Sequence, residues 1–151
     1  MKKILPALLA VSPFAIGYCF DFALRQFNWS VTVTLLISIL FLIYWFFAGS
    51  FSAKILKSKR EALCIGNSFA AISLILIVFQ AIVLKRYLLN VVGFAPQMFY
   101  LPLIPLSAGL ESVLLFFIPG HPLWVTCVLS FILMTAVYYA GYLVSRKKIS
   151  I

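Results

Sequence analysis

Glu111 is the residue of this sequence whose surroundings most strongly suggest a chemical role. It lies in the stretch LSAGLESVLLFF, with apolar residues on both sides. A carboxylate in such surroundings is costly unless it is paired, hydrogen-bonded or protonated. One interpretation is therefore that Glu111 is a protonatable or cation-binding group, with His121 or Asp21 as its companion.

The alternative is a structural role for Glu111. An ion pair with Arg86, Lys85 or Arg25 would satisfy the carboxylate and would anchor the surrounding segment to the ends of neighbouring helices. Both interpretations place a set of polar residues near one end of the molecule. This candidate polar cluster consists of Glu111, His121, Asp21, Arg25, Arg86 and Gln97.

The other reactive residue types are too few and too scattered to form common catalytic or metal sites. Cys19, Cys64 and Cys127 form no C-x-x-C motif, and a single histidine cannot supply the ligand set of a zinc site. An acid–base pair of Glu111 and His121 is the one enzymatic option that remains. We therefore expect a protein without catalytic residues, cofactor or metal ion.

Long apolar runs are the elements that must hold these side chains. The chain of 151 residues is 65% hydrophobic and only 10% charged, whereas a soluble domain has about a quarter charged residues. Runs of 18 or more residues with few or no charges are long enough to cross a bilayer. The sequence predicts an all-α integral membrane protein, a single polytopic domain over 1–151, with four transmembrane helices at about 4–23, 29–48, 62–84 and 123–144.

The segment 87–122 is apolar but interrupted by Pro96, Pro102 and Pro105. Residues 98–118 within it have the length of a fifth span, but a carboxylate and two prolines in the middle raise the cost of insertion. The prediction for the whole segment is an irregular stretch on the outer side, either re-entrant or interfacial.

The distribution of basic residues decides between four and five spans. Five spans would divide the twelve basic residues six against six, and four spans leave only Arg25, Lys85 and Arg86 outside. Cytoplasmic loops carry the excess of Lys and Arg, so four spans with both termini in the cytoplasm are predicted. The nine residues expected inside are Lys2, Lys3, Lys54, Lys57, Lys59, Arg60, Arg146, Lys147 and Lys148.

The net charge of +9 is explained by this topology, and no nucleic-acid partner is expected. The Lys-rich loops and the many Ile, Leu and Phe residues are typical of a small bacterial protein of the plasma (inner) membrane. The lipid bilayer is the expected environment.

Small and polar residues repeat at helical spacing on the third and fourth predicted spans. Such residues let helix backbones approach closely, and a buried glutamine can bond across the contact. We interpret both stripes as packing seams, within one chain or between chains. The seam residues are Gly66, Ala70, Ser73 and Gln80 on the third span, and Thr126, Ser130 and Gly141 on the fourth.

Two classes of function follow from these features. The first is a non-enzymatic accessory, regulatory or immunity-type component that acts through helix–helix contacts with other membrane-protein subunits or with itself. The second is a small oligomeric transporter or channel that uses Glu111, which would need a polar path from that residue to the cytoplasmic side. The spans offer hydroxyl groups for such a path but no ionisable relay.

Overall fold

Helices make up nearly all of the computed structural model, which describes residues 4–56, 58–88, 90–114 and 122–149. Four of them are long and apolar enough to cross a membrane, which confirms the prediction of an all-α protein with four such helices. The chain is therefore a multi-pass membrane protein. In order, the helices are α1 (Ile4–Gln26), α2 (Val31–Ile55), α3 (Lys59–Ile82), α4 (Val91–Tyr100), α5 (Ile104–Leu114) and α6 (Leu123–Ile149).

Local hydrogen bonds mark where the helices start and stop. Ser30 caps α2, and Ser58 caps α3 by accepting a hydrogen bond from the backbone N–H of Glu61, the Ser-x-x-Glu spacing of a capping box. At the end of α3, Lys85 adopts a positive φ of 51°. The N–H of Arg86 then bonds back to the carbonyl of Gln80 at 3.2 Å.

Helix α2 continues to Ile55, beyond the span that the sequence predicts to end at residue 48. Gly49 and Ser52 lie inside the helix, because Gly49 packs closely against α6 and the Ser52 hydroxyl donates to the carbonyl of Ala48 at 2.9 Å. Helix-breaking residues are tolerated in membrane helices where neighbouring groups compensate for them.

The contacts of α3 with α6 establish that these two helices are antiparallel. Gly66 faces the ring of Tyr138, and Thr135 donates a hydrogen bond to Asn67 at 3.3 Å. Later residues of α3 thus meet earlier residues of α6. The last turn of α3 and the first turn of α6 therefore lie at the same end of the bundle.

Residues 91–114 are helical, within the segment 87–122 for which the sequence predicts an irregular stretch. Pro102 and Pro105 have no N–H for the carbonyls of Met98 and Leu101, four residues earlier. Those carbonyls instead accept from the N–H groups of Leu101 and Ile104, three residues later. The prolines thereby create the 3-10 turn Leu101–Leu103, which joins α4 to α5.

The turn between α4 and α5 lies deep among the long helices. The hydroxyl of Tyr100 donates to the carbonyl of Ala70, near the middle of α3, at 2.5 Å. Ser38 of α2 donates to the carbonyl of Pro102 at 2.7 Å. Tyr100 and Leu103 are fully buried, so α4, the turn and α5 form an inserted part of the bundle.

A close helix crossing joins α2 to α6. A Cβ atom added at Gly49 would lie 2.1 Å from the backbone oxygen of Tyr138, and one added at Gly141 would lie 2.1 Å from that of Phe46. Each helix thus presents a glycine to the backbone of the other. Trp45 and Tyr138 are buried beside this crossing, which forms the centre of the core.

Charged residues divide between the two ends of the bundle. We call the end with the first turns of α1 and α3 and the last turns of α2 and α6 the basic end, because its described cations are Lys54, Lys59, Arg60, Arg146 and Lys147. The described charged residues of the opposite end are Asp21, Arg25, Lys85, Arg86 and Glu111.

Candidate functional site

Glu111 lies at the opposite end of the bundle, buried between α5 and α6. Its side chain is only 4% exposed. The hydroxyl of Thr126, one turn into α6, donates a short hydrogen bond to one carboxylate oxygen. This contact ties α5 to the start of α6.

A second hydroxyl pair continues the contact toward the middle of the bundle. Ser107 and Ser130 are both fully buried, with their oxygen atoms 2.7 Å apart. Ser130 donates to the carbonyl of Thr126 at 2.9 Å, so Ser107 is the donor within the pair. We call Glu111, Thr126, Ser107 and Ser130 the hydroxyl ladder.

The ladder joins residues that the sequence analysis assigns to different sets. Glu111 belongs to the candidate polar cluster, whereas Thr126 and Ser130 belong to a packing seam, and Ser107 is in neither. The signal that could have found it is spacing: Ser107 and Glu111 are four residues apart on α5, as are Thr126 and Ser130 on α6. Two such pairs on antiparallel helices meet face to face.

Asp21 and Arg25 pair with each other at the end of α1. The Nε of Arg25 lies 2.8 Å from the Oδ2 of Asp21, one helical turn apart. Arg25 is 66% exposed, and exposed pairs of this kind contribute at most about 1 kcal/mol. This contact accounts for both residues without Glu111.

Arg86 and Gln97, the other described members of the candidate cluster, form no hydrogen bond or ion pair with Glu111. Within the described residues Lys85 and Arg86 are exposed and form no ion pair, so the structural pairing considered for Glu111 with these cations or with Arg25 is not formed there. Gln97 donates to the carbonyl of Gly93 in its own helix at 3.2 Å. His121 lies outside the described residues.

Tyr87 lies in the loop after α3, near this end of the bundle. Burial raises its pKa above the ordinary value, because the phenolate would lose hydration. The phenol therefore stays neutral at physiological pH and adds no charge beside Lys85 and Arg86.

The bundle becomes apolar beyond the hydroxyl ladder. Cys127, Met134 and Leu103 are fully buried there, followed by Trp45 and Ile77. Among the described residues, no three or more His, Cys, Asp or Glu side chains are grouped so as to hold a metal ion. The hydroxyl ladder thus joins α5 to α6 through hydrogen-bonded polar side chains.

The third-span seam packs inside the chain. Gly66 faces the Tyr138 ring of α6, the carbonyl of Ala70 accepts from Tyr100 of α4, and the side chain of Gln80 accepts from the N–H of Leu88 at 2.9 Å. Ser73 is 2% exposed. The fourth-span seam is also internal: Thr126 and Ser130 belong to the hydroxyl ladder, and Gly141 packs on α2.

Gly109 differs from every other glycine of the described chain. A Cβ added at Gly17, Gly49, Gly66, Gly93 or Gly141 would collide with an atom less than 2.5 Å away, whereas one added at Gly109 meets nothing within 4 Å. Ala108 and Ser112 beside it are also exposed. This small-residue surface of α5 is free in the described structure.

Comparison of the chain with protein-family models, with curated proteins and with solved structures finds no match.

Proposed function

We propose that this chain is a non-enzymatic component of the plasma membrane that binds another membrane protein through helix–helix contacts, as an accessory, regulatory or immunity-type subunit. The observation that carries the proposal is the exposed Gly109 surface. Gly17, Gly49, Gly66 and Gly141 serve close helix contacts inside the chain. The Gly109 surface of α5 offers the same kind of contact to a helix from another protein.

The physical basis is close packing in lipid. Helices associate in a membrane by van der Waals contact and hydrogen bonding, which small residues favour because they let backbones approach. Ala108 and Ser112 are four residues apart on α5, and Gly109 and Val113 have the same spacing, so they form one surface. Ser112 donates to the carbonyl of Gly109 at 2.7 Å, which leaves the surface without a free hydroxyl donor.

The proposed orientation has both termini in the cytoplasm. The excess of cations at the basic end supports it through the positive-inside rule. The turn between α4 and α5 then re-enters the outer half of the bilayer, with its backbone groups satisfied by the long helices. A cysteine replacing Lys147, in a background without native cysteines, is expected to resist membrane-impermeant reagents in intact cells. Labelling of this cysteine from outside the cell would contradict the proposed orientation.

The test of the partner contact is substitution of Gly109 by Leu. The protein is purified from its native membrane in mild detergent, and a stable hetero-complex is expected for the unmodified chain. Gly109→Leu fills the open surface and is expected to reduce the recovered partner at least tenfold. Its midpoint of thermal unfolding should be unchanged, because the added side chain meets no other residue in the chain.

Ala140→Leu is the matched control for that experiment. Ala140 is exposed on α6, so the change adds a similar side chain to another lipid-facing helix. It should leave the hetero-complex intact. Recovery of a pure homo-oligomer from the unmodified protein, or equal loss of partner in both variants, contradicts the proposal.

The second candidate is an oligomeric transporter or channel that uses Glu111, and the buried carboxylate of the hydroxyl ladder is the observation in its favour. Placing an ionised carboxylate in a bilayer costs several kcal/mol of free energy. Evolution therefore retains such a residue where it serves a function. The apolar residues beyond Ser130 weigh against a continuous path. In proteoliposomes this candidate requires pH-dependent flux, abolished by Glu111→Gln. Flux that survives this substitution removes Glu111 from the mechanism.

A further inference from the structure

An apolar groove lies between α1 and α2 at the basic end. Its volume is about 370 Å³, within the range of about 300–1,000 Å³ of small-molecule sites. Leu5 and Leu9 of α1 form one wall, and Phe47 and Phe51 of α2 form the other. Lys54, in the last turn of α2, is the one charged residue among those that line it.

The deep end of the groove is closed by a hydrogen bond between the two helices. The hydroxyls of Ser12 and Tyr44 are 2.5 Å apart. Pro13 has no N–H for the carbonyl of Leu9, and Ser12 donates to that carbonyl at 2.6 Å. Tyr44 is therefore the donor to Ser12, and no hydroxyl proton of this pair is left to attract a polar ligand.

The dimensions of the groove match one leaflet of a bilayer. Ten residues of α2 separate Tyr44 from Lys54, which is about 15 Å of helix. The hydrocarbon core of a bilayer is about 30 Å thick. An apolar channel that begins at the end of a membrane helix and stops halfway through has the length of one fatty-acyl chain.

The positive charge of Lys54, at the mouth of the groove, favours a lipid with an anionic head group. Lys54 is exposed and, within the described residues, forms no ion pair. Glu61 is the only described acid at the basic end, and it does not pair with Lys54. Lysine near a membrane surface attracts anionic lipid, and its apolar stem can lie along the groove while the ammonium reaches the interface.

We propose that the α1–α2 groove is a binding site for an anionic phospholipid, with an acyl chain against Leu5, Leu9 and Phe51 and the phosphate beside Lys54. A lipid fits better than a protein helix, because a helix is about 10 Å across and Phe47 and Phe51 project along the groove. This site is separate from the Gly109 surface, which lies at the opposite end of the bundle.

Native mass spectrometry of the complete protein, purified in mild detergent, is the first measurement. The expected result is the chain mass plus one anionic phospholipid. In delipidated protein, dioleoyl phosphatidylglycerol should raise the midpoint of thermal unfolding, whereas dioleoyl phosphatidylcholine and inorganic phosphate should not. A second polypeptide in place of lipid, or an equal shift with phosphate alone, overturns the proposal.

Lys54→Gln tests the head-group contact, with Lys59→Gln as its matched control. Both lysines are exposed at the basic end, but only Lys54 lines the groove. Lys54→Gln should weaken phosphatidylglycerol binding about five-fold, because one such charge contributes on the order of 1 kcal/mol and 1.4 kcal/mol corresponds to tenfold. Equal weakening in both variants would show a general surface-charge effect and would refute the site.

The acyl-chain contact is tested with tryptophan reporters and phosphatidylglycerol brominated in its chains. Phe51 and Leu143 are each 37% exposed near the basic end, but only Phe51 lines the groove. At one lipid per protein in detergent, Phe51→Trp fluorescence should be quenched and Leu143→Trp fluorescence should not. Equal quenching of the two reporters means that the lipid does not occupy the groove.

Discussion

Helix α2 packs on two neighbours in opposite ways. Helix α2 presents Gly49 to the backbone of α6, and α6 presents Gly141 to the backbone of α2, so the two backbones are in close contact. Against α1 it presents Phe47 and Phe51, and a groove of about 370 Å³ remains between the helices. The difference shows what closes a helix contact in a membrane, where burial of apolar surface drives little because lipid is equally apolar. Two helices pack tightly where their backbones can approach and their hydroxyl groups form hydrogen bonds. Large apolar side chains alone do not bring two helices into tight contact.

The largest expected effect comes from breaking the α2–α6 contact. In Gly49→Ala the new Cβ atom would lie 2.1 Å from the backbone oxygen of Tyr138, so the helices must separate. We expect destabilisation of about 1–3 kcal/mol, measured by thermal or detergent-titrated unfolding of the purified protein. Gly109→Ala is the control and should be neutral or stabilising by about 0.5–1 kcal/mol. Equal stability of both variants would mean that α2 and α6 are not in close contact.

An intermediate effect is expected from the tyrosine hydroxyl beside that crossing. Tyr138 donates to Ser52 at 2.8 Å, and Tyr138→Phe removes the bond. Ser52 keeps its own donation to Ala48, so the loss should be about 0.6–2 kcal/mol. Tyr139→Phe, for which the described structure shows no hydroxyl bond, should cost nothing measurable. A loss of the same size in both variants would assign it to the ring environment and not to the bond.

The smallest effect is expected on the α1 side. Tyr44→Phe removes the hydroxyl that donates to Ser12, but Tyr44 and Ser12 are only half-buried, and Ser12 still bonds to Leu9. The expected loss is at most about 0.5 kcal/mol in the same unfolding assay. If Tyr44→Phe costs as much as Tyr138→Phe, then α1 is held as firmly as α6 and the contrast between the two contacts disappears.

The four long helices could be predicted because hydropathy over 20 residues is a strong signal. The predicted ends of the helices were less accurate, as for α2. Gly49 and Ser52 are typical of a helix end in the sequence, and their place inside the helix depends on packing against α6. The helical nature of residues 91–114 could not be read from the sequence. Pro102 and Pro105 disrupt an isolated helix, and only the 3-10 turn and the hydroxyl of Ser38 supply the missing bonds.

The candidate site was predictable in part. The burial of Glu111 follows from its apolar neighbours, whereas its partner could not be chosen without knowing that α5 meets the start of α6. Charge suggested Arg86, Lys85 or Arg25, whereas the described structure shows a hydrogen bond from the hydroxyl of Thr126. The two seams contain small residues for close contact, as interpreted, but whether those contacts lie within the chain depends on the path of α4 and α5.

The glycine crossing also has a consequence for biosynthesis. Gly49 lies on α2, and its partner Gly141 lies on α6, the last of the described helices. During synthesis α2 is therefore inserted well before the backbone that matches it exists, and its glycine surface must face lipid or an insertase in the meantime. In a chain released before α6 is made, the Gly49 surface of α2 would remain exposed. Membrane quality control could recognise an unfinished molecule by that surface.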